Sequence, residues 1–258
     1  MSGSEQTIVW ITGATQGIGA GLAKAVPYRG ARVINISRRQ HPDLESVVAD
    51  LTDPASWAVI AEHFASELST FQGERAVFIH NANYSTASGF VGESDPQEYG
   101  KQVFANAAAS LVLGDAFVRA CHPRFESGLV MISSAAARHA MEGMAVYGAA
   151  KAGMEQWVRA VRAERKRRGT GPWVIAIRPG FVATEEMLAS REQYATGGED
   201  FPGGAAVLAA LDAGNYLTPD ESARQIWDLL PPDPNGRNVY FVGEFVEGAG
   251  IDATSKST

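Results

Sequence analysis

Tyr147 and Lys151 stand four residues apart in the stretch AVYGAAKAGM (145–154), whose other members are small or apolar. On a helix this spacing places both side chains on one face. A phenol beside an ammonium group can act as a proton donor, because the cation stabilises the phenolate and brings its pKa from about 10 toward neutral pH. The alternative is a packing role, in which the lysine stem covers the ring.

A second chemical motif is the glycine-rich segment TGATQGIGAG (12–21), which follows one apolar run and opens a helical pattern. Gly13, Gly17 and Gly19 allow a tight turn and a close approach of the backbone to a pyrophosphate at the helix N-terminus. The alternative is a plain glycine turn. The position of this segment between the first strand and the first helix favours dinucleotide binding.

The segment NISRRQ (35–40) bears on the choice of cofactor. Ser37 stands where an NAD site has an acidic residue, about 20 residues after the glycines. Arg38 and Arg39 follow, and a guanidinium group can pair with a 2′-phosphate. The sequence therefore favours NADP(H) over NAD(H), with two solvated loop arginines as the alternative. Asp50 and Leu51 are expected to close a third strand beside the adenine, although Asp50 could instead only cap a helix.

The elements that must position these residues follow from alternating patterns. Strands alternating with helices, and apolar throughout, predict an α/β single domain (1–258): a doubly wound Rossmann parallel sheet with helices on both faces. Ligands bind beyond the carboxyl ends of such strands. The irregular segment 184–219 is expected to form a substrate lid. The predicted strands are 7–12, 31–37, 46–50, 75–80, 128–133, 172–178 and 238–243, and the helices are about 17–29, 54–70, 96–120, 145–168 and 220–230.

Composition excludes several classes of protein. The net charge of −7 argues against a nucleic-acid partner. The basic run RAERKRRG (162–169) is interpreted as a helix end capped by Gly169 rather than a localisation signal. Cys121 is the only cysteine, so no intrachain disulfide or cysteine zinc cluster is expected, and no metal site is predicted. Without a signal peptide pattern or an apolar run of membrane-spanning length, the chain is expected to be cytoplasmic and free of a membrane partner.

Over nearly its whole length the chain resembles the compact branch of the short-chain dehydrogenase/reductase family. The segments that carry the resemblance are TGATQGIG (12–19), Asp50, HNAN (80–83), Asn106, ISS (132–134), YGAAK (147–151) and RPGFVAT (178–184).

The resemblance implies a role for each matching residue. Tyr147 would be the acid in carbonyl reduction, and Lys151 would hold the nicotinamide ribose and lower the phenol's pKa. Ser134 would hydrogen-bond the substrate oxygen, and Asn106 would anchor a water leading from Lys151 to solvent. Thr184 would contact the carboxamide and Asn81 would lie under the ribose. The remaining cofactor contacts implied are Thr15, Gln16, Ile18, Ala82, Pro179, Gly180 and Val182.

Two positions depart from the family pattern Asn-Asn-Ala-Gly: His80 replaces an Asn and Asn83 replaces a Gly. We expect His80 to be a hydrogen-bonded structural histidine at a buried strand end, not a catalytic group. Ser133 is expected to point away from Ser134 and to be structural. Pro27 is expected to bend the end of the first helix. The C-terminal NVYFVGEFVEGAG (238–250) lacks the usual Asp-Gly-Gly ending, and together with GNYLTPDESARQIWDLL (214–230) it resembles the sepiapterin and benzil reductase branch.

A mostly apolar group of residues is expected to face the substrate, with core or lid packing as the alternative. Their character favours a small neutral carbonyl or alcohol compound, flat or aromatic. They are Tyr84, Ala136, Met141, Met144, Phe181, Met187, Leu188, Tyr194 and Phe201, with Arg138 as the charged exception.

The sequence thus predicts an NADP(H)-dependent reductase of a ketone, diketone or aldehyde. The alternatives are an NAD-dependent alcohol dehydrogenase and a non-catalytic dinucleotide-binding redox sensor. The complete set Asn106, Ser134, Tyr147 and Lys151 argues against the sensor, which needs no positioned phenol. The small residues of helices 96–120 and 145–168 predict a homodimer or homotetramer, since these helices form the two-fold interface in the family.

Overall fold

The computed structural model describes residues 6–85, 89–196 and 204–243. Within these ranges, seven strands form one parallel sheet in the order β3-β2-β1-β4-β5-β6-β7. The predicted doubly wound α/β fold is therefore confirmed. The strands are β1 (Thr7–Thr12), β2 (Arg32–Ser37), β3 (Glu45–Val48), β4 (Arg75–His80), β5 (Glu126–Ile132), β6 (Trp173–Arg178) and β7 (Val239–Phe241).

Helices connect the strands and cover both faces of the sheet. The long predicted helix 96–120 is continuous but contains a π-helical stretch, Val103–Ala108, between α3 and α4. A short 3₁₀ turn, Ala135–Ala137, follows β5. The α-helices are α1 (Gly17–Lys24), α2 (Pro54–Thr70), α3 (Pro96–Gln102), α4 (Ala109–Ala120), α5 (Ala145–Arg168), α6 (Glu185–Ala189), α7 (Arg191–Thr196), α8 (Gly204–Asp212) and α9 (Pro219–Trp227).

Two apolar layers explain why the strands are apolar throughout. Trp10 of β1 packs on one face with Phe64 of α2 and Phe117 of α4. Its neighbour Ile11 points to the other face, into the layer that contains Trp227 of α9. Successive residues of a strand point to opposite faces, so a sheet covered on both sides needs apolar residues at every position.

Several predicted boundaries are wrong, and two of them concern residues singled out above. β3 ends at Val48, so Asp50 and Leu51 lie beyond it in a turn, where Asp50 Oδ1 accepts hydrogen bonds from the N–H and hydroxyl of Thr52. Helix α1 ends at Lys24, and Pro27 lies outside it instead of bending it. Proline has no N–H to donate to a helical hydrogen bond, so it does not favour continuation of the helix. The helix predicted over 17–29 from the apolar pattern is therefore too long.

Helix Pro96–Ala120 is, contrary to expectation, long and apolar enough to cross a membrane by length and composition alone. However, Leu113 and Phe117 on its inner face are fully buried against the sheet. We therefore assign it as a core helix.

Much of the predicted lid is helical. Helices α6, α7 and α8 occupy much of it, and a parallel bridge joins Val182 to Leu217. Residues 197–203, with Phe201 among them, lie outside the described residues.

Candidate active site

The glycine-rich turn lies where the strand order reverses, between β1 and β4. Gly13 and Gly17 have left-handed backbones, with φ of 73° and 54°. A side chain at Gly19 would overlap the carbonyl oxygen of Gly13 and come within 2.6 Å of Asn81 Nδ2. The turn is thus closed to side chains and open to a close backbone approach. This is the geometry a pyrophosphate requires at a helix N-terminus, so these residues fit a dinucleotide.

Thr12 joins the ends of β1 and β4. Its hydroxyl accepts hydrogen bonds from the N–H groups of Asn81 and Ala82, both at 2.9 Å, and Asn81 Nδ2 donates to the Thr12 carbonyl at 3.1 Å. These bonds hold the predicted cofactor residues Asn81 and Ala82 against the glycine-rich turn.

Asn35 is a site residue that sequence reasoning missed. It is fully buried in β2, and its Oδ1 accepts the N–H of Ala14 at 3.1 Å. Its Nδ2 reaches the Ser37 hydroxyl and the Arg39 carbonyl, each at 3.1 Å. Asn35 therefore connects the glycine-rich turn to the loop that carries the two arginines. An amide inside an otherwise apolar strand is the signal that could have found it.

The guanidinium groups of the two arginines of that loop contact different residues. Arg39 Nη2 donates to Gln16 Oε1 at 2.6 Å and lies 3.4 Å from Thr15 Oγ1, so its charge lies over the glycine-rich turn. The Arg38 guanidinium instead lies 5.9 Å from the centre of the Tyr84 ring. Ser37 does not carry charge, and its hydroxyl donates to the Arg39 carbonyl at 2.6 Å.

Ser134, Tyr147 and Lys151 meet at the carboxyl end of β5. Ser134 precedes the 3₁₀ turn, and its hydroxyl accepts the N–H of Ala136 at 3.2 Å. Tyr147 and Lys151 lie in the first two turns of α5, with Lys151 Nζ 5.5 Å from the centre of the Tyr147 ring. Lys151 Nζ donates to the Ile132 carbonyl at 2.8 Å. A side chain at Gly148 would lie 3.1 Å from the Ala136 carbonyl, so this glycine lets α5 approach the turn.

Burial controls the charge of the pair. Desolvation lowers the pKa of Lys151 to about 8. Desolvation also raises the pKa of Tyr147, and hydrogen bonding with the Ser134 hydroxyl opposes part of that shift. Desolvation is thus the largest effect on the pKa of Tyr147, and the expected lowering of that pKa by Lys151 stays a prediction. Removing the phenolate from water costs more here than the nearby groups return.

Asn106 lies in the π-helical stretch and is 2% exposed. Its Oδ1 accepts the N–H of Tyr84 at 2.7 Å, and its Nδ2 donates to the carbonyl of the same residue at 3.0 Å. The side chain therefore fixes the backbone that follows β4.

His80 is buried at the end of β4, as expected, but the expectation that it is hydrogen-bonded is wrong. Neither ring nitrogen has a hydrogen-bond partner among the residues that the structure describes. Burial, and then the charge of Lys151, lower its pKa to about 3, so the ring is neutral. Ser133 is structural as expected, since its hydroxyl donates to Glu155 at 2.7 Å.

The segment after β6 closes the site from the opposite side. Thr184 caps α6, and its methyl group would lie 3.3 Å from a side chain at Gly17. Phe181 and Ala183 exchange backbone hydrogen bonds with Leu217, which holds the intervening Val182 in place. Pro179 and Gly180 precede this bridge, and Ile18 of α1 packs against the apolar layer that contains Trp227.

The residues expected to face the substrate differ in how exposed they are. Ala136 is buried, and Leu188 is 46% exposed. Arg138 is exposed, and Met144 immediately precedes α5. The members with intermediate burial are Tyr84, Met141, Met144, Phe181, Met187 and Tyr194.

Several known proteins are similar to this chain over most of its length. The 3-oxoacyl-(acyl-carrier-protein) reductase of Escherichia coli is 28% identical over 250 residues, covering 93% of this chain and 94% of that protein. The benzil reductase ((S)-benzoin forming) of Bacillus cereus is 25% identical over 248 residues, or 90% and 97% of the two chains. An actinorhodin polyketide ketoreductase solved with NADPH shares the fold, with a TM-score of 0.76 at 22% identity over 94% of this chain and 97% of that one.

The family model described as short chain dehydrogenase matches residues 7–195, which include the glycine-rich turn, Ser134, Tyr147 and Lys151. The chain therefore belongs to the short-chain dehydrogenase/reductase family of NAD(P)-dependent oxidoreductases.

Proposed function

We propose that the chain is an NADP(H)-dependent reductase that converts a small neutral carbonyl compound to an alcohol. The observation that carries the proposal is the meeting of Ser134, Tyr147 and Lys151 beside a turn shaped for a dinucleotide. The Tyr147 phenol, whose pKa burial raises further above its ordinary value, is protonated at neutral pH, which suits a proton donor.

The chain's own residues have distinct tasks in this proposal. Tyr147 donates its proton to the substrate oxygen, and the Ser134 hydroxyl orients that oxygen. Lys151, which is protonated below about pH 8, stabilises the phenolate that remains. Asn106 positions the loop after β4 through Tyr84. Bound NADPH would supply the hydride.

The preference for NADP(H) is supported by Arg39, whose guanidinium lies over the glycine-rich turn with no acidic side chain at Ser37. A charge there pairs with a 2′-phosphate, whereas an NAD site needs an acid for the ribose hydroxyl. Arg38 would approach the same phosphate from the side of Tyr84.

The substrate class is supported by the apolar character of the residues expected to face the substrate and by the names of two relatives, which are reductases of a 3-oxoacyl group and of benzil. The sub-branch that contains benzil reductase stays a prediction, because the 3-oxoacyl reductase is the more identical of these two. An NAD-dependent alcohol dehydrogenase is the second candidate, and a cytoplasmic location is proposed with both.

We also propose that residues 184–219 act as a lid. With NADPH and a substrate analogue bound, amides of α6, α7 and α8 should exchange hydrogen more slowly than in the free protein. Equal protection of these helices in both states would contradict the lid.

The test of the function is a panel of ketones, diketones and aldehydes assayed by consumption of NADPH and of NADH. Tyr147→Phe should lower kcat by about 10²- to 10⁴-fold at an unchanged melting temperature, since only the proton donor is removed. Tyr28→Phe is the matched control, because the Tyr28 hydroxyl has no hydrogen-bond partner among the described residues and packs against Trp227, away from the site. Full turnover by Tyr147→Phe would overturn the proposal.

A further inference from the structure

Glu155 and Arg178 form a buried ion pair that the chemistry proposed above does not use. Their side chains are 2% and 3% exposed, and two bonds of 2.5 Å join the guanidinium of Arg178 to the carboxylate of Glu155. Taking two charges out of water costs free energy that their attraction often fails to repay. Stability alone is therefore a weak reason for this pair.

The pair joins elements that are distant in sequence. Glu155 belongs to α5, one turn after Lys151, and Arg178 ends β6. Ser133, which directly follows β5, donates its hydroxyl to Glu155 Oε1 at 2.7 Å. The guanidinium of Arg178 also lies 4.9 Å from the ring centre of Phe241 in β7. One carboxylate thus connects α5 to the carboxyl ends of β5 and β6.

These contacts adjoin the reactive residues. The end of β5 is fastened to α5 twice, by Lys151 on the Ile132 carbonyl and by Glu155 on Ser133. It is fastened to β6 as well, because the Ser133 N–H donates to the Ile177 carbonyl at 2.7 Å. Ser134 is the next residue along the chain. Its hydroxyl can reach Tyr147 on α5 only while this end of β5 keeps its place relative to α5.

From this arrangement we infer that the ion pair Glu155–Arg178 is a positioning device, which holds Ser134 in register with Tyr147 and Lys151. The inference rests on the proposed function, because it assigns the pair to the geometry of that proton transfer. A displacement of about 1 Å at such a site can cost about 100-fold in rate.

The decisive experiment replaces the pair by apolar residues of similar volume, Glu155→Leu with Arg178→Met. Such replacements of buried ion pairs are often neutral or stabilising. The Ser133 hydroxyl and Arg159 Nη2, at 3.1 Å, also lose their hydrogen bonds to Glu155 in this variant, so the melting temperature should stay close to that of the wild type. We expect kcat to fall by about 10- to 100-fold, with the KM for substrate and the affinity for NADPH, measured by fluorescence titration, little changed. Amides of residues 133–137 should exchange hydrogen faster.

A purely structural pair predicts another result. The folded double variant would then keep wild-type kcat and wild-type exchange at 133–137, and either observation would overturn the inference. Failure of the proposed function would give a different result, because the wild type would then consume no NADPH with any carbonyl compound. In that case amide hydrogen exchange at residues 133–137 still tests the positioning role.

Two further variants keep the test decisive if the double variant does not fold. Ser133→Ala removes one hydroxyl and keeps the ion pair. We expect kcat to fall by about 3- to 10-fold, which corresponds to the net free energy of one hydrogen bond. Unchanged kcat in Ser133→Ala would overturn the inference. The matched control is Lys24→Met with Asp220→Leu, which removes an exposed ion pair between α1 and α9 and should leave kcat unchanged.

Discussion

At the scale of single residues, burial decides which groups carry charge at the candidate site. Burial keeps the His80 ring neutral, raises the pKa of the Tyr147 phenol above its ordinary value and lowers the pKa of Lys151 to about 8. Among these three residues, Lys151 is therefore the one whose charge changes near the upper end of the physiological pH range.

The pH dependence of carbonyl reduction follows from Lys151. Its depressed pKa means that the cation is present below about pH 8 and lost above it, so kcat/KM should be level near neutral pH and fall above about pH 8. Lys151→Ala should lower kcat, weaken NADPH binding and move the remaining basic limb upward, toward the raised pKa of Tyr147. The exposed Lys166→Ala, on the same helix, is the control. A basic limb that stays in place in Lys151→Ala would contradict the assignment.

Cofactor preference is a second prediction at this scale. Arg39→Asp should raise the KM for NADPH far more than that for NADH, because a charge-assisted contact is replaced by repulsion, a change of roughly 2–4 kcal/mol or tens- to hundreds-fold in preference. Arg38→Asp should have a smaller effect, since that guanidinium lies on Tyr84. Steady-state kinetics with both cofactors decides. An unchanged preference in both variants would refute NADP(H) selectivity.

At the scale of elements, the site depends on how closely helices approach strand ends. Helix α1 can begin beside β4 because Gly19 has no side chain, and α5 can pass the 3₁₀ turn because Gly148 has none. Small residues here serve proximity and not flexibility.

Gly19→Ala tests this closeness. The added methyl group meets backbone atoms of Gly13, which cannot move aside cheaply. We expect a loss of about 1–3 kcal/mol of stability from overpacking, with weaker NADPH binding. Gly100→Ala in α3 is the matched control, because nothing lies within 4 Å of its added carbon, and it should be stabilising by about 0.5–1 kcal/mol. Denaturant unfolding and fluorescence titration measure both. Equal stability of the two variants would show that the turn has room to spare.

At the scale of the whole molecule, one parallel sheet brings the ends of β1, β2, β4, β5 and β6 to a common edge, where every proposed reactive residue lies. The outer surface of helix 96–120 includes exposed apolar side chains among charged ones, with Phe104 and Val112 each 44% exposed. Apolar surface of this kind favours association.

We therefore predict at least a homodimer through helix 96–120 and α5. Sedimentation velocity at micromolar concentration should show a dimer or tetramer, and Val112→Glu should shift it toward monomer because a charge is placed in an apolar contact. Asp115→Asn, on the same helix but already polar and 58% exposed, is the control. A wild-type chain that sediments only as monomer would refute the interface.

The sequence by itself determined the fold, the order of elements and the family. Strand patterns such as TIVWIT (7–12) depend on local alternation and on burial from both sides, and the motifs of the family are contiguous in the chain. Tyr147 and Lys151 could be paired because four residues separate them on one helix.

Only the tertiary structure decided which side chains meet across elements. Asn35 reaches Arg39 and the turn at Ala14, and Glu155 reaches Ser133 and Arg178. The buried His80 ring finds no hydrogen-bond partner within 6–85, 89–196 and 204–243. No local pattern marks these outcomes. Such contacts depend on the register of neighbouring strands and on how closely each helix packs against the sheet. Those are set by the packing of the whole core at once, and burial in turn sets the pKa values of Lys151 and Tyr147.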